Sequence, residues 1–120
     1  MDPREKNRLF QAGIEAFNTL HFFEAHEHWE EVWLRTPLPE KLYLQGLIQI
    51  AAAFHHRSQS NLDGAKSLLR AGLTKLEPCP ATQFGIDVQS LREAARGWLI
   101  ALDEGVVSQE FPLPRVLSCP

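Results

Sequence analysis

Two cysteines, Cys79 and Cys119, are too few for a disulfide framework, and neither has a neighbour at the Cys-x-x-Cys spacing of a zinc ribbon. No apolar run reaches the roughly 18 residues that a spanning helix needs. The longest, Leu42–Phe54, is broken by Gln45 and Gln49. The first residues, Met-Asp-Pro-Arg-Glu-Lys-Asn-Arg, lack the apolar stretch of a secretory signal. Basic charge is not in excess: 12 Lys and Arg stand against 15 Asp and Glu, a net charge of −3. That speaks against a nucleic-acid platform and against an anionic membrane surface as partner. A Gly-rich phosphate loop, a Gly-x-Ser-x-Gly elbow and a dinucleotide fingerprint are all missing. Together these absences predict a cytoplasmic protein.

What is present reads as one helical domain. A chain of 120 residues, 44% apolar and 22% charged, supports a single core, so residues 1–120 are expected to fold as one unit. Helical spacing of apolar residues predicts a first helix over about Pro3–Thr19, with Asp2 as its cap and Pro3 in the first turn. A second is expected over about Phe22–Arg35, stopped by Thr36-Pro37-Leu38-Pro39. A third spans about Glu40–Arg57. Ser60 with Asp63 resembles a capping box that would start a fourth, closed by Glu77-Pro78-Cys79-Pro80. Residues 78–86 read as a loop, and Asp87 as the cap of a fifth helix ending near Gly105. The tail from 105 to 120 carries Pro112, Pro114 and Pro120 and is expected to pack as an extended arm or to fray. No alternating stretch is long enough for a strand. The expected fold class is therefore all-α: a single-domain antiparallel bundle of about five helices.

Chemistry concentrates on the second helix. With His26 set to zero on a helical wheel, Phe22, Phe23, Trp29, Glu30 and Trp33 fall within about 60° of it. Glu24, His28, Glu31 and Arg35 fall on the opposite, solvated side, and Glu27 lies at the boundary, where it could orient a ligand from behind. The apolar face thus carries a histidine and a carboxylate in its middle. A buried carboxylate without a partner is costly, so Glu30 is expected to meet a metal, a cation, a hydrogen-bond donor or water. His26 and Glu30, four residues apart, can converge on one point and are ordinary ligands for zinc, manganese or iron. A His–Glu hydrogen bond that fixes helix packing fits the same pattern.

The third helix offers an opposite wall. Around Gln49 lie Leu42, Gln45, Gly46, Ala52, Ala53 and His56, a small and polar face. It either looks at solvent or admits a second helix around a polar site, where Gln45, Gln49 and His56 would join His26 and Glu30. His55 points about 100° away, toward the apolar side. Trp29, Trp33 and Trp98 lie on apolar stripes and read as core anchors. Cys79, between two prolines, fits a reactive loop thiol only weakly, since no Cys–His pair can be read from the sequence.

The segment Phe23-Glu24-Ala25-His26-Glu27-His28-Trp29-Glu30-Glu31-Val32-Trp33, followed by Gln45-Gly46-Leu47-Ile48-Gln49-Ile50-Ala51-Ala52-Ala53-Phe54-His55-His56, resembles the DUF309 family of bacterial and archaeal proteins. The family pattern His-x3-Glu-x2-Trp/Tyr is met by His26, Glu30 and Trp33. Asn61, Gly64 and Ala65 fit its step into the next helix. The resemblance covers about residues 8–104. It implies an all-α fold of about five helices and a metal role for the His/Glu motif, and it supplies no reaction.

Three functional expectations follow. In the first, His26 and Glu30 bind a divalent transition metal (zinc, manganese or iron) with His56 or His55 as a third ligand. Gln49 or Gln45 orients a water or substrate, as in a metal-dependent hydrolase. In the second, the chain is a non-enzymatic binding or scaffold module, and the His/Glu/Gln cluster is a buried hydrogen-bond network. In the third, Glu30 is a general base with His26 as its partner and no metal. The partner is a small molecule or a protein, and two apolar faces on one helix allow a homodimer.

Overall fold

Asp2 and Pro3 start the first helix as expected. The Asp2 carboxylate accepts from the backbone N–H of Arg4 at 2.8 Å, and α1 runs over Pro3–Asn18. The computed structural model describes residues 1–105 and 112–119. It continues with α2 (Phe22–Trp33), α3 (Glu40–Ser58) and α4 (Leu62–Leu76). A two-stranded ribbon of β1 (Thr82–Gln83) and β2 (Ile86–Asp87) leads into α5 (Val88–Asp103). The chain is all-α apart from that ribbon. No helix among the described residues is long and apolar enough to cross a membrane.

Side-chain contacts show that successive helices run antiparallel. Phe17 meets Phe22 at the near end of α1 and α2, and Phe10 meets Trp29 further along. On α2 and α3, Phe23 touches His55 at one end while Lys41 lies over the Trp33 ring at the other. Arg70 of α4 pairs with Asp103 at the far end of α5. The rings of Phe84, Phe10, Trp29, Phe17, Phe22, Phe54 and Trp98 form a continuous chain, each centroid 5.1–6.1 Å from the next. Aromatic contact thus links β1–β2 through α1, α2 and α3 to α5.

Two glycine contacts set the helix approaches. A Cβ on Gly13 would collide with the indole of Trp29, whose Nε1–H donates to the Phe10 carbonyl at 3.2 Å. Trp29 therefore sets the Nε1 side of its indole against α1 with no solvent exposure. Gly46 and Gly72 bring α3 and α4 backbone to backbone: a Cβ on Gly72 would stand 2.9 Å from the Gly46 carbonyl oxygen. Any larger side chain at either place would push the helices apart.

Several boundaries depart from the sequence reading. The cap of α4 is Asn61, which accepts from Gly64 N at 3.1 Å, and not Ser60. Ser60 is consumed by the chain reversal out of α3, at φ 62°. Residues expected to be loop contain the β1–β2 ribbon, because Phe84 and Gly85 both take positive φ (57° and 73°), the backbone of a tight hairpin turn. Residues 112–119 form an extended arm. Asn18 holds Val116 through both backbone groups, at 2.8 and 2.9 Å, and Leu117 and Cys119 bond to Asp87 and Gly85. The remainder of the expected tail, 106–111 and Pro120, lies outside the described residues.

The buried Arg92 holds the corner between α4 and α5. Its guanidinium donates to the carbonyls of Leu76 (2.5 Å) and Cys79 (2.7 Å), and to Gln89 Oε1 (2.7 Å). A cation placed on the carbonyl end of a helix satisfies groups that have no partner within it. At the start of α5, Asp87 accepts from Ser90 N and Oγ at 3.0 and 2.7 Å, and these bonds draw its carboxyl below the usual carboxylate range.

Replacing Gly13 by alanine forces the Trp29 ring out of its seat. We expect Gly13→Ala to lower stability by about 1–3 kcal/mol, the cost of overpacking a core, measured by urea unfolding. An unchanged midpoint would mean that α1 and α2 do not depend on this contact.

Candidate functional site

The motif pair sits on α2, and Trp29 decides where it faces. The buried arc of α2 is Phe22, Ala25, Trp29 and Val32. Its centre lies about 80° from His26 on the wheel. Glu30 is accordingly exposed, its side chain 52% open to solvent, with the His26 side chain at 28%. The sequence reading put Glu30 in the middle of a buried face, and this is corrected. The wheel counted Phe23 and Trp33 as core, whereas Phe23 is 50% exposed and Trp33 only half-buried. The aromatics of α2 share one broad face, and contacts such as the seat of Trp29 on Gly13 and of Phe22 on Phe17 and Phe54 select which of them go inside.

The structure does bring His26 and Glu30 together, with Nε2 and Oε2 3.2 Å apart. The Phe23 ring stacks against His26 at 5.8 Å and approaches His55 at 5.1 Å. The Nδ1 atom of His26 is buried without a hydrogen-bond partner, as are Trp33 Nε1 and Gln49 Oε1. All three lie on the packed pair α2 and α3.

The other predicted members take different places. His56 Nδ1 bonds the Asn61 side chain at 3.0 Å, beside the α4 cap. His55 is half-buried against Phe23. Gln45 and Gln49 are half-buried on α3, and the Gln49 Cβ lies beside Gly72 of α4. Among the described residues, no hydrogen bond or ion pair joins Gln45, Gln49, His55 or His56 to His26 or Glu30. Nor does any group of three or more His, Cys, Asp and Glu side chains come together to hold a metal ion. His26 and Glu30 can fill two positions around an ion, one short of the three protein ligands of a catalytic zinc. A ligating histidine also ordinarily donates its second N–H to an acceptor, and His26 Nδ1 has none.

Cys79 is buried, not a reactive loop thiol. Burial pushes its pKa up, with Arg92 opposing, so the reactive thiolate is disfavoured. Sequence reasoning missed the contribution of exposed apolar groups around the pair. Leu34, one turn beyond Glu30, is 61% exposed, and Leu42 on α3 is exposed as well. The alternation of Phe23, Glu27, Glu30 and Leu34 at helical spacing was the available signal.

An exposed ion pair contributes little to stability. We expect Glu30→Gln to change unfolding free energy by less than about 1 kcal/mol, measured by chemical denaturation. A loss of several kcal/mol would restore the reading of the pair as a buried packing network.

Comparison with known sequences gives a family match and two relatives. Residues 10–68 match the model of DUF309, a domain of unknown function. An uncharacterized protein of Aquifex aeolicus (strain VF5) is 33% identical over 91 residues, covering 74% of this chain and 27% of that protein. The uncharacterized protein YpuF of Bacillus subtilis (strain 168) is 37% identical over 65 residues, covering 53% of this chain and 37% of YpuF. The chain thus spans well under half the length of the curated relatives it matches. The match runs through α2, α3 and the His26–Glu30 pair, so residues 10–68 form a segment of the DUF309 family.

Proposed function

We propose that the chain is a helical binding module and that the outer face of the α2–α3 hairpin takes a protein partner. One observation carries the reading: the His26–Glu30 pair stands at the surface between Phe23 and Leu34, which are 50% and 61% exposed. A pair serving only to lock helices together would be buried. Large apolar side chains beside a polar centre are what a protein interface is built from. The face is also acidic. Glu24, Glu27, Glu30 and Glu31 all lie on α2, and no Lys or Arg occurs between Phe22 and Trp33. The matching partner is a protein segment that presents Lys or Arg between apolar side chains. Modular use is further supported by the relatives, in which the matched segment is a minor part of a longer chain.

A photo-crosslinking residue at position 34, in the cell of origin, tests this. The expected result is one discrete adduct whose crosslinked peptide carries Lys or Arg, and whose yield collapses in a Glu27→Lys, Glu30→Lys double variant. An adduct insensitive to charge reversal, or none, overturns the reading. An adduct to a second copy of this chain replaces it with self-association.

A metal role has an observation of its own. His26 Nε2 and Glu30 Oε2 are as close as two ligands of one tetrahedral ion stand to each other. Zinc, manganese or iron held there would take its remaining ligands from water or from another molecule, and hydrolytic chemistry does not follow from two protein ligands alone. Elemental analysis of untagged protein prepared without chelator decides it. About one equivalent of metal per chain, lost in His26→Ala, is the outcome this second reading predicts. Metal-free protein that also fails to bind added zinc, manganese or iron sinks it.

A further inference from the structure

A cleft of about 590 Å³ opens on the opposite side of the α2–α3 hairpin from the His26–Glu30 pair's surroundings, between the first turns of α1 and α3. That volume falls within the range of small-molecule sites, about 300–1,000 Å³. Its floor is apolar: Phe10, Val32 and Leu44 are buried, and Phe84 packs on Phe10 with ring centroids 5.5 Å apart. Among the lining residues Lys6 is the only cation and Glu40 the only acid. The two make no ion pair with each other among the described residues. Among the described residues the Lys6 ammonium has one hydrogen bond, a long one of 3.4 Å to the Arg35 carbonyl.

The rim is also formed by two helix beginnings. Pro3 and Lys6 belong to the first turns of α1, and Glu40 opens α3. The start of a helix carries a partial positive charge. At α3 no side chain caps it, since Pro39 holds the cap position. The start of α1 is already capped by the Asp2 carboxylate, so Lys6 and the uncapped start of α3 stand against Glu40, above a mostly apolar floor.

We propose that this cleft binds an amphipathic monocarboxylate, its apolar chain or ring on Phe10, Val32, Leu44 and Phe84 and its carboxylate at Lys6. The proposal is independent of the partner surface on α2. The apolar part supplies affinity by burial. The rim charges supply the preference for an anionic head, with Lys6 donating to it and Glu40 opposing.

Isothermal titration of the full chain with octanoate, octanol and octylamine tests the inference, because the three share a chain and differ in head group. Octanoate is expected to bind one to one and about tenfold tighter than either of the others. Lys6→Gln should weaken octanoate by about fivefold, the size of a half-exposed charge contact, and leave octanol unchanged. Glu40→Gln should tighten octanoate. It reads the same field with the opposite sign, so the test stands even where the Lys6 variant fails to fold. Equal binding of octanol and octanoate, tighter binding of octylamine, no heat with octanoate, or indifference to both substitutions would each overturn the proposal.

Discussion

The seat of Trp29 on Gly13 governs much of this structure. An indole pressed this close to a neighbouring helix needs a residue without a Cβ at the contact, and its N–H needs an acceptor once water is gone. Gly13 and the Phe10 carbonyl provide both. Because a helix turns as a rigid body, fixing one residue fixes the direction of every other on α2. Ala25 and Val32 go inward with Trp29, while His26 and Glu30 turn out to the rim. The surface position of the His26–Glu30 pair is thus a consequence of a packing contact on another helix.

The rest of the bundle is closed by polar groups acting on backbone. Asn18 uses its amide as a backbone substitute and holds Val116 through both donor and acceptor. Arg92 does the same for the end of α4, and its guanidinium reaches carbonyls on both sides of the Glu77–Cys79 turn. Both residues satisfy buried or half-buried main-chain groups where regular structure stops, the place where unpaired groups are most costly. They let a helical bundle carry a short ribbon and an extended arm along one edge without exposing either as a free strand.

The α2–α3 hairpin presents two chemically distinct surfaces. Its outer face is acidic and studded with exposed Phe23 and Leu34 around the His26–Glu30 pair. Its inner side, where Val32 and Leu44 line the space next to Phe10, floors an apolar cleft with mixed charge at the mouth. Binding on the first would be read by charge and by apolar anchors, and on the second by head group and chain. The hairpin can carry both because α3 is packed on α2 and α4, so its position does not depend on either surface being covered.

Residue order alone made the number of helices, their approximate limits and the capping roles of Asp2 and Asp87 legible, since these rest on local spacing and on side chains that bond their own backbone a few residues away. The i, i+4 approach of His26 to Glu30 was legible for the same reason. Four things were not. The rotation of α2 depends on Gly13, distant in sequence and silent until it meets Trp29. The places taken by His55, His56 and Gln49 depend on Phe23, on Asn61 at the α4 cap and on Gly72 of α4, which those side chains meet instead of the pair. The burial of Arg92 and the bridging by Asn18 require chain ends brought together from 16 and 98 residues apart. Which part of a broad aromatic face turns inward is settled by the neighbours that arrive there, and the spacing within the helix carries no local sign of the choice.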